Sequence, residues 1–337
     1  MIQEAIETVV GGKSVSMEEA AQVMDEIMEG EATPAQFGAF VTALRMKGET
    51  PDEVAGMAQV MREKSLHVKA DGLIADTCGT GGDASGTFNI STTAAFVVAG
   101  AGVKVAKHGN RAMSGASGSA DVLEALGVRI DLGPEGVKRC LDEIGIGFMF
   151  AQTFHPSMRF AAGPRREIGI RTVFNILGPL TNPASATAQL IGVADPAVGE
   201  KMATVLGRLG SDHALVVHGK DGLDEISLSE ATQVWELKGG SVSEYTITPE
   251  EMGLGRVPND DLEVGGAEES AVIVRRVLHG KSGPTRDVVL ANAGATLVAA
   301  DRANTIAEGV ILAARAIDDG SALAKLDALV ELSQKLE

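Results

Sequence analysis

Cysteine and long apolar runs are scarce in this sequence. Its 337 residues include only 2 cysteines, Cys78 and Cys140, and their separation forms neither a metal-binding nor a redox motif. A chain without a disulfide framework suits a reducing compartment, so we expect a cytoplasmic location. The opening stretch MIQEAIETVV has acidic residues and only a short apolar run. We therefore expect neither a signal peptide nor a membrane span.

Positive charge is also in short supply. The 29 Lys and Arg residues against 46 Asp and Glu residues give a net charge of −17, and the resulting field repels nucleic acid and anionic membranes. We therefore expect no nucleic-acid partner. A phosphate ligand would need local positive charge from Lys, Arg, helix N-termini or bound cations. Glycine, by contrast, is abundant at 41 residues, which favours loops whose backbone approaches a ligand closely.

The first part of the chain predicts helices. Three stretches match capping boxes, and the last two place proline at the first helical position: SMEE at 16–19, TPAQ at 33–36 and TPDE at 50–53. We assign residues 1–70 to a small all-helical domain. A proline-limited segment crosses back later in the chain, and we expect part of 160–185 to pack on this domain.

The rest of the chain, residues 71–337, alternates short β-branched runs with alanine-rich helical stretches. This pattern is typical of βαβ units, and the run VRI at 128–130 is counted among the strands. The runs TQVWEL at 232–237 and SEYTIT at 243–248 predict an added pair of strands, and the polar stretch 256–270 predicts a flexible loop. The fold class is therefore α/β, with a larger domain built on a central, mostly parallel sheet flanked by helices.

The stretch DTCGTGGDASGTFNIST, residues 76–92, is the first candidate site. A predicted strand ends near Cys78, a glycine-rich turn follows, and a helix is predicted to start at Ser91 or Thr92. Ligands of open parallel sheets lie at the carboxyl ends of the strands. Glycines there allow backbone N–H groups to face an anion, and a helix N-terminus adds partial positive charge. Phosphate or pyrophosphate is the ligand that this loop favours.

Other interpretations of this loop remain open. It lacks the Gly-Lys-Ser/Thr ending of an ATP-binding loop. Gly79, Gly81 and Ala84 fit a loose dinucleotide fingerprint, but the next strand ends in Lys107 instead of the acid that holds a ribose. A tight structural turn is the plain alternative. Asp83, Ser91 and Thr92 weigh against it, because they offer ligands for a metal-bound phosphate.

Two further clusters follow other predicted strands. KHGNR at 107–111 supplies the positive charge that the net charge lacks, and small hydroxyl residues including Ser119 follow it. Asp224 and Glu225 in GLDEIS, 222–227, follow the strand HALVVHG and offer hard oxygen ligands for Mg²⁺. The plain alternatives are solvated basic residues and a surface acidic pair.

The crossing segment carries a third group of candidates. Arg165 or Arg166 could pair with a carboxylate, a partner that arginine binds in bidentate geometry, and His155 could line the same cleft. Exposed helical arginines are the alternative.

Taken together, the motifs resemble those of the anthranilate phosphoribosyltransferase family, in the order of that family. The motifs are GTGGD (79–83), TFNIST (87–92), VAKHGNR (105–111), SGSADVLEALG (117–127), RTVFNILGPLTNP (171–183) and GLDEIS (222–227). The resemblance covers nearly the whole chain and implies the nucleoside phosphorylase and phosphoribosyltransferase type of fold. It also implies Mg²⁺-dependent transfer of the phosphoribosyl group from phosphoribosyl pyrophosphate (PRPP) to the amino nitrogen of anthranilate, in tryptophan biosynthesis.

The resemblance also implies a role for individual residues. Those expected around PRPP are Gly79, Gly82, Asp83, Thr87, Asn89, Ile90, Ser91, Thr92, Lys107, His108, Gly109, Asn110, Arg111 and Ser119. Those expected around anthranilate are Gly79, Asn110, Arg165, His108, His155 and Gly178. Those expected to bind magnesium are Ser91, Asp224 and Glu225.

Two departures from the family pattern and two rival functions are weighed beside the resemblance. AAGPRRE at 161–167 stands where many members have a proline-valine pair before the arginine, and Ala116 stands where lysine is frequent. The first departure concerns the anthranilate entrance. The rivals are a pyrimidine nucleoside phosphorylase of the same fold and a non-catalytic relative that binds nucleic acid. The resemblance suggests a homodimer through the N-terminal helices.

Overall fold

The computed structural model describes residues 1–112 and 117–336, so the departure at Ala116 lies outside the described residues. The chain begins with four helices: α1 (Ile2–Val10), α2 (Met17–Glu29), α3 (Pro34–Lys47) and α4 (Pro51–Glu63). Ser16, Thr33 and Thr50 cap α2, α3 and α4, each through a complete capping box. The three predicted helix starts are confirmed, because side chain and backbone satisfy each other's free groups at each one.

A seven-stranded sheet follows: β1 (Ile74–Gly79), β2 (Lys104–Gly109), β3 (Ile146–Phe150), β4 (Ala188–Gly192), β5 (His213–Gly219), β6 (Thr232–Lys238) and β7 (Ser241–Ile247). The strand order is β3-β2-β1-β4-β5-β6-β7. The first five strands pair in parallel, and β6 and β7 are antiparallel additions. The predicted fold class and the added strand pair are confirmed.

The remaining helices are α5 (Ile90–Gly100), α6 (Ser119–Ala125), α7 (Pro134–Glu143), α8 (Ala151–Phe154), α9 (Arg159–Ile168), α10 (Phe174–Leu177), α11 (Gly199–Arg208), α12 (Ala267–Leu278), α13 (Pro284–Ala299), α14 (Ile306–Asp318) and α15 (Ser321–Lys335). α9 packs on α2 and α3, and α10 contacts α4. The crossing segment therefore lies against the helical part of the chain. Of the helices in the described part, none has both the length and the apolar character that a membrane crossing requires.

Helices cover both faces of the sheet, as the side chains of β5 show. Leu215 and Val217 belong to a hydrophobic cluster that includes α5 and α13, whereas Ala214 and Val216 belong to a second cluster with α11 and the N-terminal helices. Successive residues of a strand point to opposite faces, so each face of β5 supplies one core. A sheet buried on both faces leaves its carboxyl edge as the place where loops can form a site.

One predicted strand is wrong. Residues 128–130 form no strand and connect α6 to α7. The backbone N–H of Arg129 donates to Ser333 Oγ at 3.0 Å, and its Nη1 donates to the Leu336 carbonyl at 2.6 Å. The β-branched pattern was misleading here because this backbone is held by the C-terminal helix instead of by a neighbouring strand.

The predicted loop at 256–270 is also more ordered than expected. It contains a 3₁₀ turn at Asn259–Leu262 and then the start of α12. The Leu262 carbonyl accepts from the Phe88 N–H at 2.8 Å, and the Val264 N–H donates to the Gly86 carbonyl at 2.9 Å. Backbone pairing with the glycine-rich loop therefore fixes a segment whose polar composition suggested freedom.

Candidate active site

The glycine-rich loop joins the end of β1 to the start of α5. Positive φ angles of 66°, 82° and 66° at Gly81, Gly82 and Gly86 are conformations that residues with a side chain rarely adopt. The Asn89 side chain caps α5 by accepting from the Thr92 N–H at 3.0 Å, so the helix begins at Ile90, one residue before the predicted start. Because β1 has β2 on one side and β4 on the other, this loop lies at the topological switch point of the sheet.

The acidic loop after β5 reaches across the end of β4 to the glycine-rich loop. Asp224 Oδ2 accepts from the Gly81 N–H at 2.7 Å. A Cβ at Gly192, the last residue of β4, would lie 1.6 Å from the Asp224 carbonyl oxygen, and one at Gly79 would lie 2.4 Å from Asp224 Oδ2. Glycine at the ends of β1 and β4 is therefore what lets the two loops meet.

Three carboxylates share this region in a poorly solvated setting. Burial and the nearby charge of Asp83 raise the pKa of Asp224 to about 8. Burial, and then the charge of Asp224, raise the pKa of Glu225 well above its usual range, while the Ser91 N–H facing that carboxylate acts in the opposite direction. A bound cation would offset the repulsion among these carboxylates and favour their charged forms.

The donor set fits Mg²⁺, a hard cation that prefers carboxylate and hydroxyl oxygen. The structure brings Ser91 and Glu225 together and places Asp224 beside them. Across residues 1–112 and 117–336, no group of three or more His, Cys, Asp and Glu side chains forms a complete metal cage. Protein sites for Mg²⁺ commonly use one or two carboxylates, with substrate phosphates and water supplying the other ligands.

Lys107 lies beneath the glycine-rich loop, with 3% of its surface exposed. Its Nζ donates to the Thr77 carbonyl at 2.5 Å and lies 3.3 Å from Ser91 Oγ. Burial lowers the pKa of Lys107, and the negative charge of Asp76 opposes that shift. The lysine is thus placed between the end of β1 and the start of α5, where its charge would favour an anion at the glycine-rich loop.

Asp76 and Asn182 hold this arrangement and carry no predicted role. Asp76 Oδ1 accepts from the His108 N–H at 3.2 Å, and its Oδ2 accepts from Asn182 Nδ2 at 2.7 Å. Asn182 Nδ2 also donates to the Ala106 carbonyl at 2.8 Å. The signal in the sequence was a charged residue inside an otherwise apolar strand, because a buried carboxylate requires partners.

Two histidines, His108 and His155, lie side by side next to Lys107 at the candidate site. The ring centroids of His108 and His155 are 5.0 Å apart, and neither Nε2 atom has a hydrogen-bond partner among the described residues. Burial is the main cause that lowers the pKa of both rings, to about 4 for His155. The Gly178 carbonyl faces the His108 ring and favours its protonated form, in opposition to the larger effect of burial. Neutral rings with free nitrogen atoms suit a planar ligand that carries polar groups.

Arg165 lies on α9 with its guanidinium 5.2 Å from the centroid of the Phe174 ring. Burial lowers its pKa, whereas the neighbouring Arg166 is exposed. Within the described residues no hydrogen bond joins Arg165 to Gly79 or Asn110. The structure therefore separates the two candidate arginines by burial, and the anthranilate role of Arg165 stays a prediction.

The KHGNR loop is held by contacts with α6. Ser119 Oγ lies 3.4 Å from the Asn110 carbonyl, and a Cβ at Gly109 would lie only 2.0 Å from Ser119 Oγ. Arg111 pairs with Asp121 at 2.9 Å and with Glu124 at 2.5 Å. The structure thus brings Gly109, Asn110 and Ser119 together but directs Arg111 to the acids of α6.

The remaining predicted PRPP residues take different environments. Ile90 is 1% exposed and packs in the core, so only its backbone can face a ligand. Thr92 is buried with no partner for its Oγ1 among the described residues. Thr87 Oγ1 lies 3.3 Å from Ser85 Oγ, and Thr87 bridges to Glu263 in the segment that pairs with the loop.

Asp221 braces the acidic loop and was missed by sequence reasoning. Its carboxylate accepts from the Ser227 hydroxyl at 2.5 Å, from the Ser229 hydroxyl and from Asn259 Nδ2 at 2.8 Å. Asn259 belongs to the segment that pairs with the glycine-rich loop. Asp221 therefore links both walls of the site, and an acid two residues after the end of β5 was the available signal.

The chain combines a glycine-rich loop opposite an acidic pair with a mostly parallel sheet and a helical bundle, and comparison with known families places this two-part architecture among the glycosyl transferases. Two family descriptions match the chain accordingly. "Glycosyl transferase family, a/b domain" matches residues 71–323, and "Glycosyl transferase family, helical bundle domain" matches residues 3–65.

Comparison with known proteins identifies a more specific family. Anthranilate phosphoribosyltransferase of Dehalococcoides mccartyi is 59% identical over 100% of this chain and 99% of its own length. That of Chloroflexus aurantiacus is 58% identical over 99% of both chains. The chain belongs to the anthranilate phosphoribosyltransferase family.

Solved structures agree with this assignment. The anthranilate phosphoribosyltransferase of Thermus thermophilus superposes with a TM-score of 0.93 at 45% identity, covering 98% of this chain and 99% of the other. The Saccharomyces cerevisiae enzyme in complex with PRPP and Mg superposes with a TM-score of 0.91 at 26% identity, covering 99% and 98%.

Proposed function

We propose that this protein transfers the phosphoribosyl group of PRPP to the amino nitrogen of anthranilate, in tryptophan biosynthesis. The products are N-(5-phosphoribosyl)anthranilate and pyrophosphate. The observation that carries the proposal is the 2.7 Å hydrogen bond between the Gly81 N–H and Asp224, which joins the anion loop to the acidic loop. The family relationship and the yeast complex with PRPP and Mg support it.

The PRPP half of the site combines several sources of positive potential. Backbone N–H groups of the glycine-rich loop and the N-terminus of α5 would face phosphate oxygens, and Lys107 adds a full charge from below. Ser91, Asp224 and Glu225 would hold Mg²⁺. When bound, the cation neutralises charge on the departing diphosphate. Gly82, Asp83, Thr87, Asn89 and Ser119 would complete the surroundings of PRPP.

The residues assigned to anthranilate would orient this substrate. Arg165 would pair with the carboxylate of anthranilate, and the neutral rings of His108 and His155 would line the path of its flat ring. Gly79, Asn110 and Gly178 would provide close backbone approach. The amino nitrogen is a neutral nucleophile near neutral pH, and the proton that it loses as the new C–N bond forms can pass to water or to the carboxylate of anthranilate. Orientation and electrostatic stabilisation then supply most of the rate enhancement.

Anthranilate fluorescence tests the proposal directly. Purified protein with PRPP and Mg²⁺ should consume the signal, and omission of either PRPP or Mg²⁺ should prevent the loss. Two assays test the rival functions: phosphorolysis of thymidine or uridine, and titration with DNA at low salt. We expect both assays to be negative. Folded protein that leaves the fluorescence unchanged under the complete mixture would reject the proposal.

We further propose a cytoplasmic homodimer. Both cysteines are free thiols, which suits a reducing compartment. Val10 and Met46 of the N-terminal helices are 69% and 84% exposed, and large apolar side chains at a surface favour contact with a partner. Light scattering should report twice the chain mass, and Met46→Glu should shift the protein towards the monomer. A wild-type monomer at assay concentration would contradict this assembly.

A further inference from the structure

Arg171 lies in the connection between α9 and α10 and reaches the glycine-rich loop. Its Nη2 donates to the Gly81 carbonyl at 3.1 Å. A Cβ placed on Gly82 would lie 1.8 Å from Nη1 of the same guanidinium. The guanidinium therefore rests directly on the backbone of the two glycines, and this contact requires that Gly82 have no side chain.

The charge of Arg171 is available to a ligand. The residue is exposed, and within residues 1–112 and 117–336 it forms no ion pair. Lys107, the other cation at this loop, is buried, and its Nζ already donates to the Thr77 carbonyl. Arg171 is thus a solvent-facing cation on a loop whose nearby side chains, Asp83 and Asp224, are acidic.

We propose that Arg171 is a further PRPP-binding residue that pairs with the diphosphate held at the glycine-rich loop. This proposal rests on the function proposed above. The guanidinium presents several N–H donors in a planar fork that matches phosphate oxygens, and one contact to the Gly81 carbonyl leaves the others free. Since Arg165 lies on α9, which leads into this connection, one chain segment would contact both substrates.

The test uses inorganic pyrophosphate with Mg²⁺ as the probe. Calorimetry gives the Kd of pyrophosphate, and steady-state kinetics gives the KM of PRPP and of anthranilate. Arg171→Ala should raise the pyrophosphate Kd and the PRPP KM about tenfold or more, since a hydrogen bond to a charged group contributes about 1.5–3 kcal/mol. Arg171→Lys should recover part of the loss. The anthranilate KM at saturating PRPP should change less than about twofold. Arg159→Ala, an exposed arginine of α9 stacked on Phe160, is the matched control and should leave all constants unchanged.

Binding of ribose 5-phosphate distinguishes a direct contact between Arg171 and the diphosphate from an indirect role in which Arg171 only stabilises the glycine-rich loop. Direct pairing predicts that Arg171→Ala weakens pyrophosphate but not ribose 5-phosphate, with unchanged thermal stability. Equal weakening of both ligands, or a pyrophosphate Kd that stays within about twofold of wild type, would overturn the proposal. Wild-type protein that binds pyrophosphate in an Arg171-dependent way but does not consume anthranilate would reject the proposed function and leave this assignment standing.

Discussion

The backbone N–H of Gly81 donates to the carboxylate of Asp224 at 2.7 Å, across 143 residues of sequence. The contact links the loop after β1 with the loop after β5, although β4 lies between these two strands. It is possible because β4 ends in Gly192, whose missing side chain leaves room for the Asp224 backbone. The glycine-rich loop and the acidic loop are therefore coupled through a glycine that belongs to neither loop.

Gly192→Ala should reduce kcat/KM about tenfold or more, equal to about 1.4 kcal/mol of transition-state stabilisation. The new Cβ would lie 1.6 Å from the Asp224 carbonyl oxygen and would displace the acidic loop. Steady-state kinetics at varied Mg²⁺ measures the effect. Gly133→Ala is the control, since that glycine has φ of −76° and open space around its Cβ position. Wild-type kinetics for Gly192→Ala would show that the loop tolerates displacement.

Glu225→Gln should reduce turnover most strongly at limiting Mg²⁺ and recover part of it at excess Mg²⁺. The amide keeps the shape of the side chain but removes a charge that would attract the cation. Titration of activity with Mg²⁺ should show a midpoint raised about tenfold. Glu230→Gln, which changes an exposed acid paired with Arg256 at 3.7 Å, should keep the wild-type midpoint. Equal midpoints for both variants would remove Glu225 from the metal site.

Local signals predicted the parts of the site that sequence neighbours determine. The positive φ angles of Gly81 and Gly82 explain why the glycines stand out in the sequence. The alternation of strands and helices predicted that the loops after β1, β2 and β5 share one edge of the sheet. The capping boxes predicted helix starts for the same reason, because each one is completed within four residues.

For contacts between distant residues, the sequence signals that Asp76 and Asp221 need partners but does not identify those partners. Asp221 meets Asn259 across 38 residues, and Asp76 meets Asn182 across 106. Arg171 stands in a motif quoted for the family resemblance, but only the fold shows its guanidinium on the glycine-rich loop. Side-chain pairing of this kind depends on which strands become neighbours, which no local pattern specifies.

Arg165→Ala should raise the anthranilate KM about tenfold while changing the PRPP KM less than about twofold. The half-buried guanidinium of Arg165 is held at 5.2 Å from the centroid of the Phe174 ring, where it would suit a carboxylate, whereas Arg166 is exposed to solvent. Initial rates at varied anthranilate and saturating PRPP provide the measurement. Arg166→Ala should match wild type. The opposite result, with only Arg166→Ala affecting the anthranilate KM, would exchange the two assignments.

His155 should make the protein less stable as the pH falls. Burial lowers its pKa from 6.5 to about 4, so the unfolded chain binds a proton more readily than the folded one between these values. The contribution of His155 is therefore fully present above pH 6.5 and is lost progressively as the pH falls towards 4. The shift corresponds to about 3 kcal/mol in the free energy of unfolding, at about 1.36 kcal/mol per pH unit.

His155→Gln isolates this contribution, because other groups that titrate in the same range stay in place. The ring of His108 lies 5.0 Å away and stays in place, and its own pKa is lowered by burial and then by the charges of His155 and Lys107. Urea unfolding at pH steps between 4 and 6.5 should give a shallower rise of stability with pH for His155→Gln than for wild type. His67→Gln, at an exposed site, should keep the wild-type slope. Identical slopes for wild type and His155→Gln would mean that the folded protein takes up a proton at His155 without cost.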